Sequence, residues 1–434
     1  MAPEEANKIA KICLEKFDSL PKTGKPKIDF EWTILSAMVQ LERKNSEVKM
    51  EVVALGTGTK CLGSDQLSPK GDMLNDSHAE VLTRRAFLRY LLKQMKKSLT
   101  EECSIFEYNS LTRLFRLKKD VSFDFFTTHS PCGDASIFKE SDVDHEPLTK
   151  KMKFCETHSC ESETGSKAAD GMTGGKLVAS DGDDLMSQEV GLIRTKPGKG
   201  FRTLSLSCSD KMARWNILGV QGSLLMMLLE EPIYLKAIVI CDGTIYSKEA
   251  IERALWKRWD EDTLQGILKP PFRLNRPLVV AASNQKFFPL RKNRAVESGK
   301  KFQPAPGGLA WCQGVERELE VENGGRRQGT VKKNFGTPAA RLKISKIELF
   351  SAFVAMRNEL RTAAAVGGTS FSDTRINLSP SGVEQDVADF NGLRYADAKG
   401  HSRAYRAQWN TLRAQVFRVW SEKPASLEQF TIDS

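Results

Sequence analysis

Regular cysteine pairs and membrane-spanning runs are both missing from this sequence. The chain has only nine cysteines in 434 residues, an odd number at irregular spacing, whereas secreted disulfide-rich domains carry dense, paired cysteines. No stretch approaches the roughly 18 uninterrupted apolar residues of a transmembrane helix, and the first residues predict an amphipathic helix with no signal peptide. These absences favour an intracellular protein, in the cytoplasm or the nucleus, without a membrane partner.

Acidic residues are in the minority overall and concentrated in one segment. Lys and Arg total 65 against 55 acidic residues, which gives a formal net charge of +10. Residues 140–192 hold 12 acidic and 5 basic residues, and they are rich in Ser, Gly and Thr with almost no aromatic residues, a composition typical of disorder. We predict a single domain over residues 1–434 with a disordered insert at 140–192. The basic remainder favours a polyanionic partner such as RNA.

Strand and helix patterns alternate along the chain, which predicts an α/β sandwich. Short apolar and β-branched runs predict the strands, and apolar residues at helical spacing predict the helices. A polar, Gly-rich stretch predicts a long loop before the last helices. The predicted elements are strands at 50–54, 121–128 and 237–241, helices at 79–95, 211–229 and 403–420, and a loop at 321–333.

One His, one Glu and two Cys form a candidate metal site. His78 and Glu80 give the pattern H-x-E at the start of a predicted helix, and Cys132 follows a proline after a predicted strand. Zinc deaminases combine H-x-E with a downstream P-C-x-x-C, in which one His and two Cys bind Zn²⁺ and the Glu transfers protons. Here Ala135 replaces the second cysteine, so we predict that Cys208, which also precedes a helix, is the third ligand. Three protein ligands leave the fourth zinc position open, as in catalytic sites.

Other interpretations of these residues stay open from sequence alone. Residues 77–80 also form an S-x-x-E capping box, in which Glu80 only closes the start of a helix. His129 is an alternative ligand to His78, although no Glu stands two residues after it. The segment 155–160 (CETHSC) resembles a metal cluster, but it falls in the predicted disordered insert, where we do not expect zinc.

Several blocks of the sequence resemble the deaminase domain shared by RNA-editing adenosine deaminases and the eukaryotic tRNA-specific adenosine deaminase. The blocks are residues 56–61 (GTGTKC), 75–85, 130–135, 208–225, 344–350 and 405–417. The last two resemble the tRNA enzyme more closely than the messenger-RNA editors. The resemblance covers nearly the whole chain, and it implies a cytidine-deaminase-like α/β sandwich elaborated with extra helices around a buried inositol hexakisphosphate.

The resemblance also implies a reaction and the residues that perform it. The reaction is zinc-dependent hydrolytic deamination of adenosine to inosine in tRNA, at the adenosine immediately 3′ of the anticodon of alanine tRNA. The implied site consists of zinc ligands His78, Cys132 and Cys208, the proton-transferring Glu80, and the substrate-contacting residues Thr59, Lys60 and Lys199. Lys199 stands where duplex editors carry an acidic residue that fills the gap left by the flipped base. An anticodon loop already exposes its bases, so a cation there can contact phosphates instead.

Cations on two predicted helices favour a buried anion. Arg85 lies seven residues after His78 on the same helix face, and Lys211 lies three residues after Cys208. Because an unpaired charge in a core is costly, such cations require an anionic partner. The resemblance identifies this anion as inositol hexakisphosphate and implies contacts from Asn75, Arg84, Arg85, Lys211, Arg214, Tyr395, Lys399, Tyr405, Trp420 and Lys423.

Two other functions compete with adenosine deamination. The first is a cytidine deaminase, since the same zinc site serves both bases and the shape of the pocket selects between them. The second is a catalytically inactive module that binds RNA or inositol phosphate, against which Glu80 argues because an inactive protein needs no proton-transferring carboxylate. We expect tRNA as the macromolecular partner and no obligate protein partner.

Overall fold

The computed structural model describes most of the chain outside the acidic insert. The described residues are 1–45, 47–100, 103–138, 142–144, 176–177, 189–197, 201, 203–292, 299–366 and 389–433. Most of the insert predicted at 140–192, including the segment 155–160, lies outside the described residues, as does Lys199. Within the described ranges, no helix combines the length and the apolar character that crossing a membrane requires.

Strands and helices alternate through the described chain. The strands are β1 Glu31–Trp32, β2 Leu35–Lys44, β3 Glu47–Thr57, β4 Thr59–Cys61, β5 Asp76–His78, β6 Phe106–Asn109, β7 Leu114–Leu117, β8 Val121–Thr127, β9 Lys176–Leu177, β10 Arg194–Thr195, β11 Leu235–Ile240, β12 Leu278–Ala281, β13 Gln303–Pro304, β14 Gly307–Cys312, β15 Leu319–Asn323 and β16 Arg326–Arg327. The helices are α1 Pro3–Ser19, α2 Ala79–Thr100, α3 Cys208–Leu218, α4 Gly222–Met226, α5 Lys248–Glu252, α6 Glu261–Ile267, α7 Lys346–Val366, α8 Tyr395–Gly400 and α9 Arg403–Gln415.

An eight-stranded mixed sheet forms the centre of the structure, in the order β12-β11-β8-β2-β3-β14-β15-β16. β8, β11 and β12 run parallel, whereas the strands from β2 to β16 are antiparallel to their neighbours. The register places Phe125 of β8 between Met38 of β2 and Ile238 of β11. The three parallel strands therefore end, at Thr127, Ile240 and Ala281, on one edge of the sheet. We call it the carboxyl edge, and it is where open α/β sheets bind ligands.

Helices cover both faces of this sheet, because alternate residues of each central strand point to opposite sides. On one face, Ile9 and Phe17 of α1 lie in a buried cluster with Phe126. On the other face, the ring of Phe87 in α2 lies 4.7 Å from the ring of Phe123, edge to face. The aromatic side chains of one strand thus divide between two cores, and the predicted α/β sandwich is confirmed.

The predicted helices at 211–229 and 403–420 are too long. The first ends at Leu218 because Gly219 adopts a φ of +81°, which caps and terminates the helix, and the chain resumes as α4. The second ends at Gln415. The apolar residues beyond Gln415 still pack on the core. Their spacing therefore predicted burial correctly, but it predicted a helix that is too long.

The segment 321–333, predicted as a loop, begins as a β-hairpin. Asn323 pairs with Arg326, and Gly324 and Gly325 form the turn between them with φ of +58° and +77°. Glycine adopts this left-handed conformation at no steric cost. The Gly-rich signal identified the turn but could not distinguish a hairpin from a long loop.

Candidate active site

A short hairpin places His78 at the start of α2. β4 and β5 pair with Thr59 opposite His78, and the Ala79 amide donates to the Gly58 carbonyl oxygen at 3.0 Å. A Cβ atom at Gly58 would lie 2.1 Å from the Ser77 carbonyl oxygen, and the φ of Gly58 is +152°. Only glycine permits this approach of two backbones, so Gly58 fixes the strand that carries His78.

Both site cysteines lie at the ends of regular elements near the carboxyl edge. Cys132 follows β8 in a loop held by Ser209, whose hydroxyl donates to the Cys132 carbonyl oxygen at 2.7 Å. Cys208 is the first residue of α3, where Ser207 caps the helix by accepting a hydrogen bond from the Asp210 amide. The Cys208 amide donates to Cys132 Sγ at 3.3 Å. Amide groups at a helix start stabilise negative charge, which favours the thiolate form of a cysteine there.

The side chains of His78, Cys132 and Cys208 converge on one point. His78 Nδ1 lies 3.7 Å from Sγ of Cys132 and 3.7 Å from Sγ of Cys208, and the three ligand atoms all lie within 4.8 Å of one another. Tetrahedral zinc, with bonds of about 2.1 Å to nitrogen and about 2.3 Å to sulfur, separates such ligands by about 3.6 Å. The hydrogen bond with Cys208 holds the pKa of the Cys132 thiol well below its usual range, whereas burial, together with the same bond, raises the pKa of Cys208. The geometry and the residue types therefore fit a zinc ion with three protein ligands.

Glu80 is a buried carboxylate next to this convergence point. Its side chain is fully buried, and neither oxygen makes a hydrogen bond to another described residue. Burial, together with the neighbouring Cys132, raises the pKa of Glu80. A capping-box glutamate would instead accept a hydrogen bond from the backbone amide of Ser77. The capping-box alternative is therefore wrong, and Glu80 has its carboxylate available for proton transfer.

The alternative ligand His129 does not join the group. Among the described residues, only His78, Cys132 and Cys208 bring His, Cys or carboxylate ligand atoms into one such cluster. Burial, with a further contribution from Lys292, lowers the pKa of His129 to about 4. His129 is therefore a neutral, partly buried residue beside the site.

A chain of charged groups that sequence reasoning missed supports the cysteine side of the site. Lys196 Nζ lies 3.1 Å from Cys208 Sγ and donates to both Asp76 carboxylate oxygens at 2.9 and 2.7 Å. Lys211 also binds Oδ2 of the same carboxylate. Burial by itself would raise the pKa of Asp76, but Lys196 and Lys211 hold it well below its usual range. No sequence pattern indicated Lys196, since the insert separates it from the earlier site blocks.

A cluster of cations lies next to this chain of charges. Burial lowers the pKa of both Arg84 and Arg85 to about 10. It also lowers the pKa of Lys423 to about 8 and that of Lys346 to about 7. The charge of Lys211 further lowers the pKa of Lys423, and the charge of Lys423 further lowers that of Lys346. Arg85 Nη2 is buried without a hydrogen-bond partner among the described residues. Because grouped cations in a core are strongly unfavourable alone, the cluster fits an anion. Lys346 was not predicted.

Arg214 belongs to the aromatic side of this cluster. Its guanidinium carbon lies 3.7 Å from the ring centre of Trp409 and 5.7 Å from those of Tyr405 and Trp420. Cation–π contacts of this kind stabilise a desolvated arginine. Arg214 Nε has no hydrogen-bond partner among the described residues, so the aromatic rings hold the guanidinium while leaving a donor unused.

The other residues implied for inositol hexakisphosphate lie in or beside the same region. The Tyr395 ring stacks on Phe430 with 4.9 Å between centres, and Tyr395 interacts electrostatically with Arg85. Lys399 binds the Glu428 carboxylate at 2.8 Å. Asn75 is partly buried immediately before β5. Tyr395 therefore adjoins Arg85 of the cation cluster, and Asn75 precedes Asp76, which Lys211 contacts.

Two of the three implied substrate residues lie on β4. Thr59 is opposite His78 in the hairpin, and its buried hydroxyl has no hydrogen-bond partner among the described residues. Lys60 is partly buried opposite Ser77. Lys199 lies outside the described residues. Thr59 is therefore the member of this set that the fold brings beside the metal-site histidine.

Two arginines from one helical segment clamp the loops that carry the cysteines. Arg253, which begins a π-helical turn after α5, contacts the Asp134 carboxylate at 3.3 Å and donates to the Asp134 carbonyl oxygen at 2.9 Å. Arg258 donates to the Asp210 carboxylate at 2.7 Å. Asp134 and Asp210 each stand two residues after a site cysteine. The two arginines therefore hold the Cys132 loop and the start of α3 from one segment, and no sequence pattern indicated this.

Comparison with known proteins places this arrangement in a family. Residues 54–424 match the model of the adenosine-deaminase (editase) domain. The chain is 37% identical over 435 residues to tRNA-specific adenosine deaminase 1 of Drosophila melanogaster, covering 97% of this chain and 96% of that protein. It is 34% identical over 520 residues to the protein of the same name from Mus musculus, covering 98% and 99%. It is 28% identical over 432 residues to the mouse double-stranded RNA-specific adenosine deaminase, covering 98% and 32%. Since the matched region contains the convergent histidine, cysteines and glutamate, this chain belongs to the adenosine-deaminase (editase) domain family.

Proposed function

We propose that this protein is a zinc-dependent enzyme that deaminates adenosine to inosine in tRNA, at the adenosine immediately 3′ of the anticodon of alanine tRNA. The observation that carries the proposal is the buried, unpaired Glu80 carboxylate beside the converging side chains of His78, Cys132 and Cys208. The names of the insect and mouse relatives support tRNA as the substrate. The net charge of +10 suits a polyanionic partner.

The roles of the protein groups follow from their surroundings. When bound, zinc supplies the nucleophile by lowering the pKa of a water molecule to about 7. Glu80 takes a proton from this water, delivers it to the adenine ring, and then passes a proton to the departing amine. A C6–O bond forms and the C6–N bond breaks, so adenosine and water become inosine and ammonia. Burial favours the protonated form of Glu80, which suits a group that must both accept and donate protons.

Lys196 and Asp76 act as positioning residues in this scheme. The Lys196 ammonium lies against Cys208 Sγ and stabilises the negative charge that a metal-binding thiolate carries. Asp76 holds that ammonium in place and also accepts a hydrogen bond from the His78 amide at 3.0 Å. One carboxylate therefore orients residues on both sides of the ligand set. Thr59, Lys60 and Lys199 are assigned to the substrate.

The proposal includes inositol hexakisphosphate as a structural ligand of the cation cluster. Its support is the buried nitrogen atoms of Arg85 and Arg214 that have no hydrogen-bond partner among the described residues, together with the lowered pKa of Lys346. A compact ligand with several phosphates satisfies such a group, since charged hydrogen bonds to phosphate are strong. The assigned residues are Asn75, Arg84, Arg85, Lys211, Arg214, Lys346, Tyr395, Lys399, Tyr405, Trp420 and Lys423.

The test of the reaction is incubation of the purified protein with an alanine-tRNA transcript, followed by sequencing. We expect an adenosine-to-inosine change at the nucleotide 3′ of the anticodon. A transcript with guanosine at that position is the control, and it should gain no inosine. Cytidine conversion, inosine elsewhere only, or binding without conversion would overturn the proposal.

Glu80→Gln separates proton transfer from metal binding. We expect unchanged zinc content by elemental analysis and a loss of turnover of at least about 100-fold, since general acid–base groups contribute about 10²–10⁴. Glu249→Gln, at an exposed position of α5, is the matched control and should leave turnover unchanged. Full turnover in Glu80→Gln would remove Glu80 from the mechanism.

The anion has a test that does not depend on activity. Acid denaturation of purified protein should release inositol hexakisphosphate in about equal molar amount, detected by mass spectrometry of the soluble extract. Lys346→Met should reduce the amount retained. Folded protein that releases no inositol phosphate would contradict this part of the proposal while leaving the deamination test intact.

A further inference from the structure

A buried carboxylate on β15 lies behind the hairpin that carries His78. Glu322 is 2% exposed, and its neighbours in the sheet are Gly308 of β14 and Arg327 of β16. Neither the candidate metal site nor the cation cluster includes this group. Burying a carboxylate is costly unless it is hydrogen-bonded, so the groups that surround Glu322 indicate what it does.

Strand alternation directs Glu322 towards the side of the sheet that carries α2. Alternate residues of a strand face opposite sides, and Val321 packs with the buried cluster on the α1 side. β5 runs directly into α2. The neighbour of Glu322 on β14 has no side chain, and a Cβ atom at Gly58 would lie 3.6 Å from Cα of Gly308. The backbone of the β4–β5 hairpin therefore approaches the sheet next to Glu322.

The Glu322 carboxylate holds a turn that contacts the loop of this hairpin. Its Oε2 accepts a hydrogen bond from the Gly325 amide at 3.0 Å, within the turn between β15 and β16. The Gly325 carbonyl oxygen accepts from the Leu74 amide at 2.8 Å, two residues before β5. A Cβ atom at Gly325 would lie 2.6 Å from the Leu74 carbonyl oxygen. The turn and the loop therefore meet backbone to backbone.

The same carboxylate reaches the strand of the metal-site histidine. Burial raises the pKa of Glu322 to about 7, and a contact with the Ser77 hydroxyl opposes this shift. The contact is loose, since no hydrogen bond of regular geometry reaches Oε1 from the described residues. Ser77 stands between Asp76 and His78 on β5, so its side chain points away from theirs. Glu322 therefore supports the rear face of the strand whose front face carries a candidate ligand.

We propose that Glu322 is a positioning residue, which holds the β4–β5 hairpin against the central sheet and so fixes His78 for metal binding. This proposal rests on the proposed function, because it assigns Glu322 to the geometry of that reaction. One carboxylate joins its own turn, the loop before β5, and Ser77 of β5. Groups that orient metal ligands contribute to affinity and rate, so loss of this carboxylate should loosen the hairpin while the sheet stays folded.

The test compares two buried glutamates of the same strand. Glu322→Leu removes the carboxylate but keeps a side chain of similar size, and Glu322→Gln keeps an acceptor for the Gly325 amide. The matched control is Glu320→Leu, because Glu320 is 3% exposed on the same face of β15 but contacts Arg89 and the Lys343 amide instead. Each purified protein is compared by hydrogen exchange, zinc competition and Tm, and by kcat and KM for inosine formation.

Glu322→Leu should change the hairpin and the metal site together. Peptides covering residues 59–78 should exchange faster, zinc should bind about 10-fold more weakly, and kcat should fall about 10-fold. KM should stay within about twofold, because this buried group makes no contact with bound substrate. Glu322→Gln should keep zinc affinity and kcat within about threefold of the wild type. Glu320→Leu should lower Tm at least as much as Glu322→Leu, while hairpin exchange, zinc affinity and kcat stay unchanged.

Three results would overturn the proposal. They are wild-type exchange and zinc affinity in Glu322→Leu, an equal loss of zinc affinity in Glu320→Leu, and a Gln variant as impaired as the Leu variant. If Glu322→Leu does not fold, Ser77→Ala tests the same contact; it should lose about threefold in zinc affinity and kcat, and unchanged values would refute the proposal. Wild-type protein that forms no inosine would refute the proposed function instead, and exchange and zinc binding would still decide the role of Glu322.

Discussion

The ion pair between Arg258 and Asp210 gives the sharpest test of how the site is held. The two side chains are 1% and 0% exposed and lie 2.7 Å apart. The other Asp210 oxygen accepts hydrogen bonds from the Arg194 amide at 2.9 Å and the Ser207 hydroxyl at 2.6 Å. Arg258→Met removes the guanidinium that pairs with this carboxylate, and it leaves a poorly compensated charge in the core next to Cys208.

The expected cost follows from the burial. Removing one partner of a buried ion pair costs about 3 to 5 kcal/mol. With an unfolding entropy of about 2.1 cal/mol/K per residue, a chain of 434 residues should lose about 3 to 6 °C in Tm. Because the Asp210 carboxylate accepts a hydrogen bond from Ser207, the residue that caps the helix start carrying Cys208, the variant should also bind zinc more weakly. Differential scanning fluorimetry and a zinc competition assay measure the two effects.

A double variant distinguishes loss of the pair from loss of packing. Arg258→Met/Asp210→Asn removes both charges while keeping a side chain that accepts hydrogen bonds. Replacing both members of a buried pair is often nearly neutral, so the double variant should recover at least half of the lost Tm. A single variant that melts with the wild type, or a double variant no better than the single, would refute the reasoning.

Three further predictions follow from neighbouring features. Gly58→Ala should lower Tm and zinc content together, since the new Cβ would lie 2.1 Å from a backbone oxygen. The control Gly266→Ala, whose Cβ would meet nothing within 4 Å, should have the Tm of the wild type. Equal Tm values for the two variants would contradict the role of Gly58. Lys196→Met should weaken zinc binding by about 10- to 100-fold, as changes beside metal ligands do, and unchanged zinc competition would refute it. The pKa of Lys346 is lowered to about 7 in the folded protein against about 10.4 when unfolded, so without an anion the contribution of Lys346 to stability becomes steadily less favourable as the pH drops from about 10.4 towards 7. Added inositol hexakisphosphate should therefore raise Tm more at about pH 7 than at about pH 9.5, and the reverse order would count against the anion site.

Local patterns were sufficient to find the main elements of the fold. The apolar runs at 121–128 and 237–241 and the amphipathic pattern at 79–95 are intrinsic to short segments, and they coincide with β8, β11 and α2. The order of the strands in the sheet could not be predicted from the sequence, because it depends on pairing between segments far apart in the chain. The break at Gly219 was also missed, since a helical apolar pattern can continue through a left-handed residue when both flanking helices pack on one core.

The candidate site divides along a similar line. His78, Cys132 and Cys208 were found because metal chemistry restricts residue types and their positions at helix starts. Asp76 and Lys196 were not found, because these contacting residues are 120 positions apart in the sequence. A charged residue is expected to be solvent-exposed unless its partner is known. Lys346 was missed for the same reason. Buried charge pairs are a property of the tertiary structure, and composition carries no trace of them.

The cation cluster draws on parts of the chain that are synthesised at very different times. Arg85 belongs to the second helix, whereas Lys346, Lys399 and Lys423 come late in the sequence. The last strand of the sheet ends at Arg327, before these lysines are synthesised, so the proposed anion would be captured only after the whole sheet has been made. Once the C-terminal helices have closed, exchange of the ligand requires them to separate from the core. We therefore expect the yield of mature protein to depend on the supply of the anion during synthesis.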